Sequence, residues 1–193
     1  MPSTFSNKLL IAALSAACLL ALAPGAMAQA PSSSANGGGA SFVPPPPPPA
    51  KGALRDGRLI APASAPSRVR RVIAAANELV EKPYLYGGGH KPFRSGWLDR
   101  GYDCSGAVSH ALHGGGFLRS ALPSGALMSW GARGTGRWIT VYAHGGHAYV
   151  VVAGYRFDTS MHDSDAPGPA TGPRWSRTLR TSSAFVARHP RGY

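Results

Sequence analysis

The stretch GYDCSGAVSHAL, Gly101 to Leu112, sets a cysteine where an apolar-periodic segment begins. A thiol at a helix start lies near unpaired N–H groups and the positive end of the helix dipole. Both favour the thiolate, which is the nucleophile. Asp103 opposes this by like charge, so a nearby imidazolium is needed for Cys104 to ionise readily. The histidines that could supply it are His90, His110, His113, His144, His147, His162 and His189. His110 lies six residues along the same segment and points to another face. His147 opens HAYVVVAG, the most apolar strand-like run, and a rigid strand could aim it at Cys104. An imidazole that works as a base through one nitrogen needs a partner on the other, to fix tautomer and ring angle. Asp158 and Thr159 are the candidates. A carboxylate accepts strongly and a hydroxyl weakly, and strand alternation lets only one of the two face His147. The remaining alternative is a Cys–His dyad with no third member. A zinc site built from His144, His147 and His162 is a weaker reading, because His-x-x-His lacks a well-spaced third ligand.

These side chains need elements to hold them. SRVRRVIAAANELVEKP has Ser67 as N-cap and Val69, Val72, Ile73, Ala76 and Val80 at helical spacing, with Pro83 as the stop. A second helix is predicted from Cys104, capped by Asp103, with Ala107, Val108, Ala111 and Leu112 as its apolar face. The glycines from Gly114 to Gly116 end it. The segment between, PYLYGGGHKPFRSGWLDRGYD, reads as an ordered glycine- and aromatic-rich loop. RWITVYAH, HAYVVVAG and YRFDTS are β-branched and aromatic and read as successive antiparallel strands, with a further strand in SSAFVARHP. Helices followed by a sheet meander give an α+β class.

The first residues, MPSTFSNKLLIAALSAACLLALAPGAMAQA, have the layout of a secretory signal with cleavage after Ala28. Lipidation at Cys18 and retention as a membrane anchor are the competing readings. Cleavage would leave Cys104 as the lone cysteine, so the domain must rely on its core rather than on a disulfide. Residues 29–66, rich in Pro, Gly and Ser, read as a disordered linker. Residues 67–193 then form one domain. The net charge of +12 is spread along the chain. It favours anionic partners, and no nucleic-acid-reading motif accompanies it.

KPYLYGGG, then GYDCSGAVSHAL, then GGHAYVVVAG together resemble the NlpC/P60 group of cell-wall cysteine peptidases. The resemblance spans most of Ser67 to Ser160. It implies a papain-like α+β domain, N-terminal helices packed on an antiparallel sheet, that cuts peptide stems of peptidoglycan. The usual bond joins the side-chain carboxyl of D-glutamate to a diamino acid. It implies Cys104 as nucleophile and His147 as general base, with Tyr84 and Ser105 beside the nucleophile. The Tyr84 hydroxyl and the Cys104 amide are the oxyanion candidates. Trp97 and Tyr86 are packing or groove residues. No cofactor and no metal are expected. The expected partners are peptidoglycan stems and the anionic envelope, for a secreted or periplasmic monomer with no stable membrane anchor. An amidase of the same fold and a non-enzymatic wall-binding module are the rival functions.

Two features depart from the family. Its Pro-Gly-Asp element is replaced by GTGRWITVYAHGG, and its third catalytic histidine by FDTS. Counting a dozen residues from His147 reaches Thr159; a turn one residue shorter at Ala153–Gly154 reaches Asp158.

Overall fold

Each strand of the sheet follows from a local pattern, and the turns set which residues face which side. The computed structural model describes residues 47–93, 98–160, 172–180 and 183–193. Residues 1–46, with the expected signal and most of the linker, lie outside it, as do Trp97 and His162. The described residues fall within one compact unit, Pro45–Tyr193. Among them no helix is long and apolar enough to cross a membrane.

Helix α1 (Ser67–Asn77) and helix α2 (Cys104–Gly114) pack on each other, and α3 (Ser124–Leu127) is a single turn. A six-stranded antiparallel sheet contains β3 (Ala132–Arg133), β4 (Ile139–His144), β5 (His147–Val152), β6 (Tyr155–Asp158), β7 (Arg174–Ser176) and β8 (Val186–His189). Its order is β3-β8-β4-β5-β6-β7. The expected α+β class is what the structure has. Strands β4 to β6 are the predicted meander, β7 extends it, and β8, in the predicted last strand, returns to lie between β3 and β4, which leaves β3 as the edge strand on that side. Strand β7, a short run in RWS, has too few residues to carry a pattern of its own.

The core lies between helices and sheet. Val69, Val72, Ile73, Val108, Ala111 and Leu112 from the helices meet Ile139, Val141, Ala143, Ala148, Val150, Val152 and Phe157 from the strands. All but Ile73 and Val108 have no measurable exposure. By strand alternation His147, Tyr149 and Val151 occupy the other face of β5.

Two local expectations are corrected. Ser67 is not the N-cap of α1: Pro66 holds that place and no side chain caps the helix. The fixed φ of proline suits the helix entry, and its carbonyl accepts from the Arg70 amide at 3.1 Å. The helix also ends before Pro83, at Asn77, whose side chain is drawn into other contacts. The second correction is the linker boundary at residue 66. Strands β1 (Ala53–Arg55) and β2 (Arg58–Ile60) form an antiparallel hairpin that packs on the domain. Its turn, Asp56–Gly57, has φ of 48° and 73°, the geometry that Asp-Gly favours in a two-residue hairpin. Leu59 is only 2 % exposed. The Asn77 side chain joins three elements: it donates to Leu59 O at 2.9 Å and accepts from Leu59 N at 3.0 Å and from Trp175 Nε1 at 2.8 Å.

Candidate active site

Cys104 is the first residue of α2, and Asp103 is its N-cap, accepting from the Gly106 amide at 2.7 Å. The cap follows from sequence alone, but the placement of the helix start is a packing result. The loop strand around Tyr84 runs parallel to Tyr102, and the Asp103 amide donates to Gly88 O at 3.2 Å. The first turn of α2 presses on this loop. A Cβ on Gly106 would lie 2.1 Å from the Gly88 oxygen. Gly89, at φ +83°, leaves no room for a side chain beside the Tyr102 ring, where a Cβ would lie 2.4 Å away. The glycines of YGGG and DCSG are therefore two halves of one contact.

His147 opens β5 and lies close enough to Cys104 for each to shift the other's pKa. Its Nε2 donates to Asp158 Oδ1 at 2.8 Å, which leaves Nδ1 to face the thiol. Asp158 closes β6 with its side chain fully buried. The reason Asp158 rather than Thr159 faces the imidazole is the turn. Ala153 and Gly154 both have positive φ (47° and 82°) and form a two-residue hairpin that pairs Val152 with Tyr155 and Val150 with Phe157. Continuing that register sets Asp158 opposite Tyr149, diagonal to His147 on the same face. Thr159 alternates to the other face. The structure therefore brings Cys104, His147 and Asp158 together.

The electrostatics reinforce the arrangement. Burial alone would raise the Cys104 pKa. The hydrogen bond to His147, the Ala148 amide and the imidazolium charge outweigh this and lower it, although Asp103 pushes back. Burial alone would lower the His147 pKa. Hydrogen bonds to Asp158 and Cys104, together with their charges, push it up to about 9. Opposite shifts on adjacent groups are the signature of a thiolate–imidazolium pair. Tyr84 is half-exposed beside them. Burial raises its pKa, and the charges of Cys104 and Asp103 add to this, so its hydroxyl stays a donor.

Ser105 does not face the open side of the site. Its hydroxyl donates to Asp103 Oδ1 at 3.1 Å and lies 3.2 Å from His90 Nε2. That His90 nitrogen is 3.0 and 3.1 Å from the two Asp103 oxygens, and the Gly87 amide donates to Asp103 Oδ2 at 3.1 Å. Asp103 is thus held by four donors, which ties its charge down beneath the nucleophile. His90 was only one of several available histidines in the sequence; nothing local marks it as the partner of Asp103. Arg156 and Arg180, at 3.7 and 3.3 Å from Asp158 Oδ2, were likewise not legible. His144 lies with its ring 6.4 Å from that of His147 and accepts from the Gly146 amide. Among the described residues no group of three His, Cys, Asp or Glu is placed to hold a metal ion.

Beside the site is a cleft of about 650 Å³ lined by Leu85, Tyr86, Gly87, Gly88, Lys91, Leu98, Asp99 and Arg100. Neither Cys104 nor His147 lines it. It adjoins the site through Gly87 and Gly88, which bond Asp103. Tyr86, 89 % exposed, and Leu85 stand at its edge as open apolar surface.

No protein-family model matches the chain, and no curated protein matches it significantly. Solved structures do match. A variant of the Resuscitation Promoting Factor Interacting protein RipA is 23 % identical with a TM-score of 0.46, covering 73 % of this chain and 69 % of that one. A hypothetical invasion protein of Mycobacterium tuberculosis is 22 % identical at a TM-score of 0.45, covering 72 % and 69 %. The P60 domain of an antigen from M. avium subspecies paratuberculosis is 20 % identical at 0.40, covering 63 % and 93 %. The chain is thus similar to structures that include a P60 domain, while the chemistry of its site is read from its own geometry.

Proposed function

We propose that this chain is an exported cysteine hydrolase that cuts the peptide stems of peptidoglycan, with Cys104 as nucleophile, His147 as base and Asp158 as its orienting partner. The observation that carries the reading is the Cys104–His147–Asp158 line, with the thiol pKa lowered and the imidazole pKa raised to about 9. The residues resembling the NlpC/P60 group supply the substrate class, and the bond between D-glutamate and the diamino acid is the first to test. The excess of positive charge suits an anionic envelope.

In this reading the Cys104 thiolate adds to the scissile carbonyl carbon. The Tyr84 hydroxyl and the Cys104 amide are the donors for the resulting oxyanion. The His147 imidazolium protonates the leaving amine as the C–N bond breaks, giving a thioester on Cys104. The neutral imidazole then takes a proton from water, hydroxide adds to the thioester, and the thiolate leaves with the carboxylic acid as product. Asp158 keeps the ring in place through both steps. The cleft at Tyr86 and Arg100 is where the substrate chain would lie.

The test is mass analysis of the fragments released from purified muropeptides. Stem peptides cut at an amide, lost entirely in Cys104→Ala, support the proposal. Release of intact stems from the sugar would make the enzyme an amidase. Binding without any product would leave a wall-binding module.

A further inference from the structure

Asp158 has more neighbours than a triad needs. Its Oδ1 accepts from His147 and from the Ser160 amide at 3.0 Å. Its Oδ2 faces Arg180 Nη1 at 3.3 Å and Arg156 Nε at 3.7 Å, and Arg174 stands opposite it in the β6–β7 register. A buried carboxylate against an imidazole has two consequences. It holds the imidazolium, which favours the thiolate. Unopposed, it would also hold the proton too tightly, and the imidazolium would be a poor acid for the leaving amine.

Arg180 is built to oppose it. Its side chain keeps about a third of its surface exposed, while that of Asp158 has none. The guanidinium stacks over Phe185 at 5.5 Å and Tyr149 at 5.8 Å. Phe185 in turn meets the His147 ring edge-on at 6.1 Å. The cation is thus fixed by ring faces that themselves frame the base. From this geometry we propose that Arg180 is a positioning residue: it pins Asp158 Oδ2 so that Oδ1 faces His147, and it offsets part of the carboxylate charge felt by the imidazole. The proposal rests on the cysteine-hydrolase reading.

Other titratable and charged groups surround the pair. Cys104, Asp103 and Tyr84 lie on the thiol side, His144 lies beside the base on β4, and Arg156 and Arg174 lie on the carboxylate side. A change at Arg180 leaves those charges present and removes its own charge, its hydrogen bond to Asp158 and its stacking on Phe185 and Tyr149.

The experiment compares the wild-type chain with Arg180→Met and Arg180→Lys. The alkylation rate of Cys104 by iodoacetamide is followed against pH, with turnover beside it and the melting temperature as the check on folding. The alkylation profile reads the pair without a substrate. With Met, the alkaline inflection assigned to His147 should rise by about half a pH unit, because a like charge near the imidazolium has gone. Turnover near neutral pH should fall several-fold, because a more basic imidazole is a poorer acid for the leaving amine. Lys should restore the inflection, since it keeps the charge, but only part of the turnover, since it lacks the planar fork. If Met does not fold, Arg180→Gln takes its place. An intact pair in the wild type with no shift, or a downward shift, in the neutral variant overturns the proposal alone. A wild-type Cys104 that titrates as an ordinary thiol overturns the cysteine-hydrolase reading and the proposal with it.

Discussion

Replacing Asp158 by asparagine tests the centre of the site with an almost isosteric change. Asn keeps a carbonyl that can accept from His147 and from the Ser160 amide. It loses the negative charge, and its NH₂ must then face the guanidinium of Arg180, now 3.3 Å from Oδ2, with donor against donor. If the amide flips to satisfy Arg180, the His147 N–H meets a donor instead. Either way the imidazole loses its strongest support. In the wild type the His147 pKa stands at about 9, above its ordinary 6.5, with the Asp158 hydrogen bond the largest of the causes that raise it. If Asp158 supplies one to two pH units of that rise, the imidazolium loses about 1.4 to 2.7 kcal/mol, a ten- to hundredfold drop in the equilibrium constant that favours the ion pair over the neutral pair. The sign is definite: a raised imidazole pKa keeps the pair present below about 9, so lowering it moves the alkaline limb down toward neutrality. The expected outcome is at least a tenfold loss of turnover near neutral pH, with the alkaline limb shifted downward. Buried Arg156 also loses the carboxylate 3.7 Å from it, so a fall of roughly 3 kcal/mol in stability should accompany it. Turnover on muropeptides and the iodoacetamide profile of Cys104 measure the first, and chemical denaturation the second. Full activity with an unmoved limb would refute the reasoning; if Thr159→Val lost activity instead, the partner would be one residue further on.

Three further outcomes are expected. Turnover of the wild type should fit a bell, with an acid limb below the usual thiol range as Cys104 protonates and an alkaline limb near 9 as His147 deprotonates; a stopped assay across pH reads both. Gly106→Ala should cut turnover and stability although alanine is the better helix former by about 1 kcal/mol, because its Cβ would strike the Gly88 oxygen. A more stable and equally active Ala variant would show that the loop can yield. Leu59→Ala should cost about 3 kcal/mol and lower the melting point by roughly 6 to 12 °C, which scanning calorimetry would detect. No change would return the hairpin to the linker.

Much of the site was legible because it rests on short-range rules. The cap at Asp103 and the apolar face of α2 fix where Cys104 stands on its helix. The apolar run after His147 fixes its strand, whereas Asp158, Thr159 and a dyad stayed open in the sequence until the two-residue Ala153–Gly154 turn set the register. The Asp56–Gly57 hairpin had an equally local signal, but it lay inside a proline- and glycine-rich stretch whose composition read as linker. What the sequence could not reveal was every contact that depends on where distant segments meet. His90 reaches Asp103, Asn77 joins Leu59 to Trp175, and Arg180 reaches Asp158 only after the sheet has formed. The return of β8 beside β4 and the burial of β7 are of the same kind. Sequence by itself determined the cap beside Cys104 and the strand that carries His147, because backbone capping and side-chain alternation act over a few residues. Only the tertiary structure decided which histidine serves Asp103 and which arginines surround Asp158, because the position of a charged side chain is set by the packing of elements far apart in the chain.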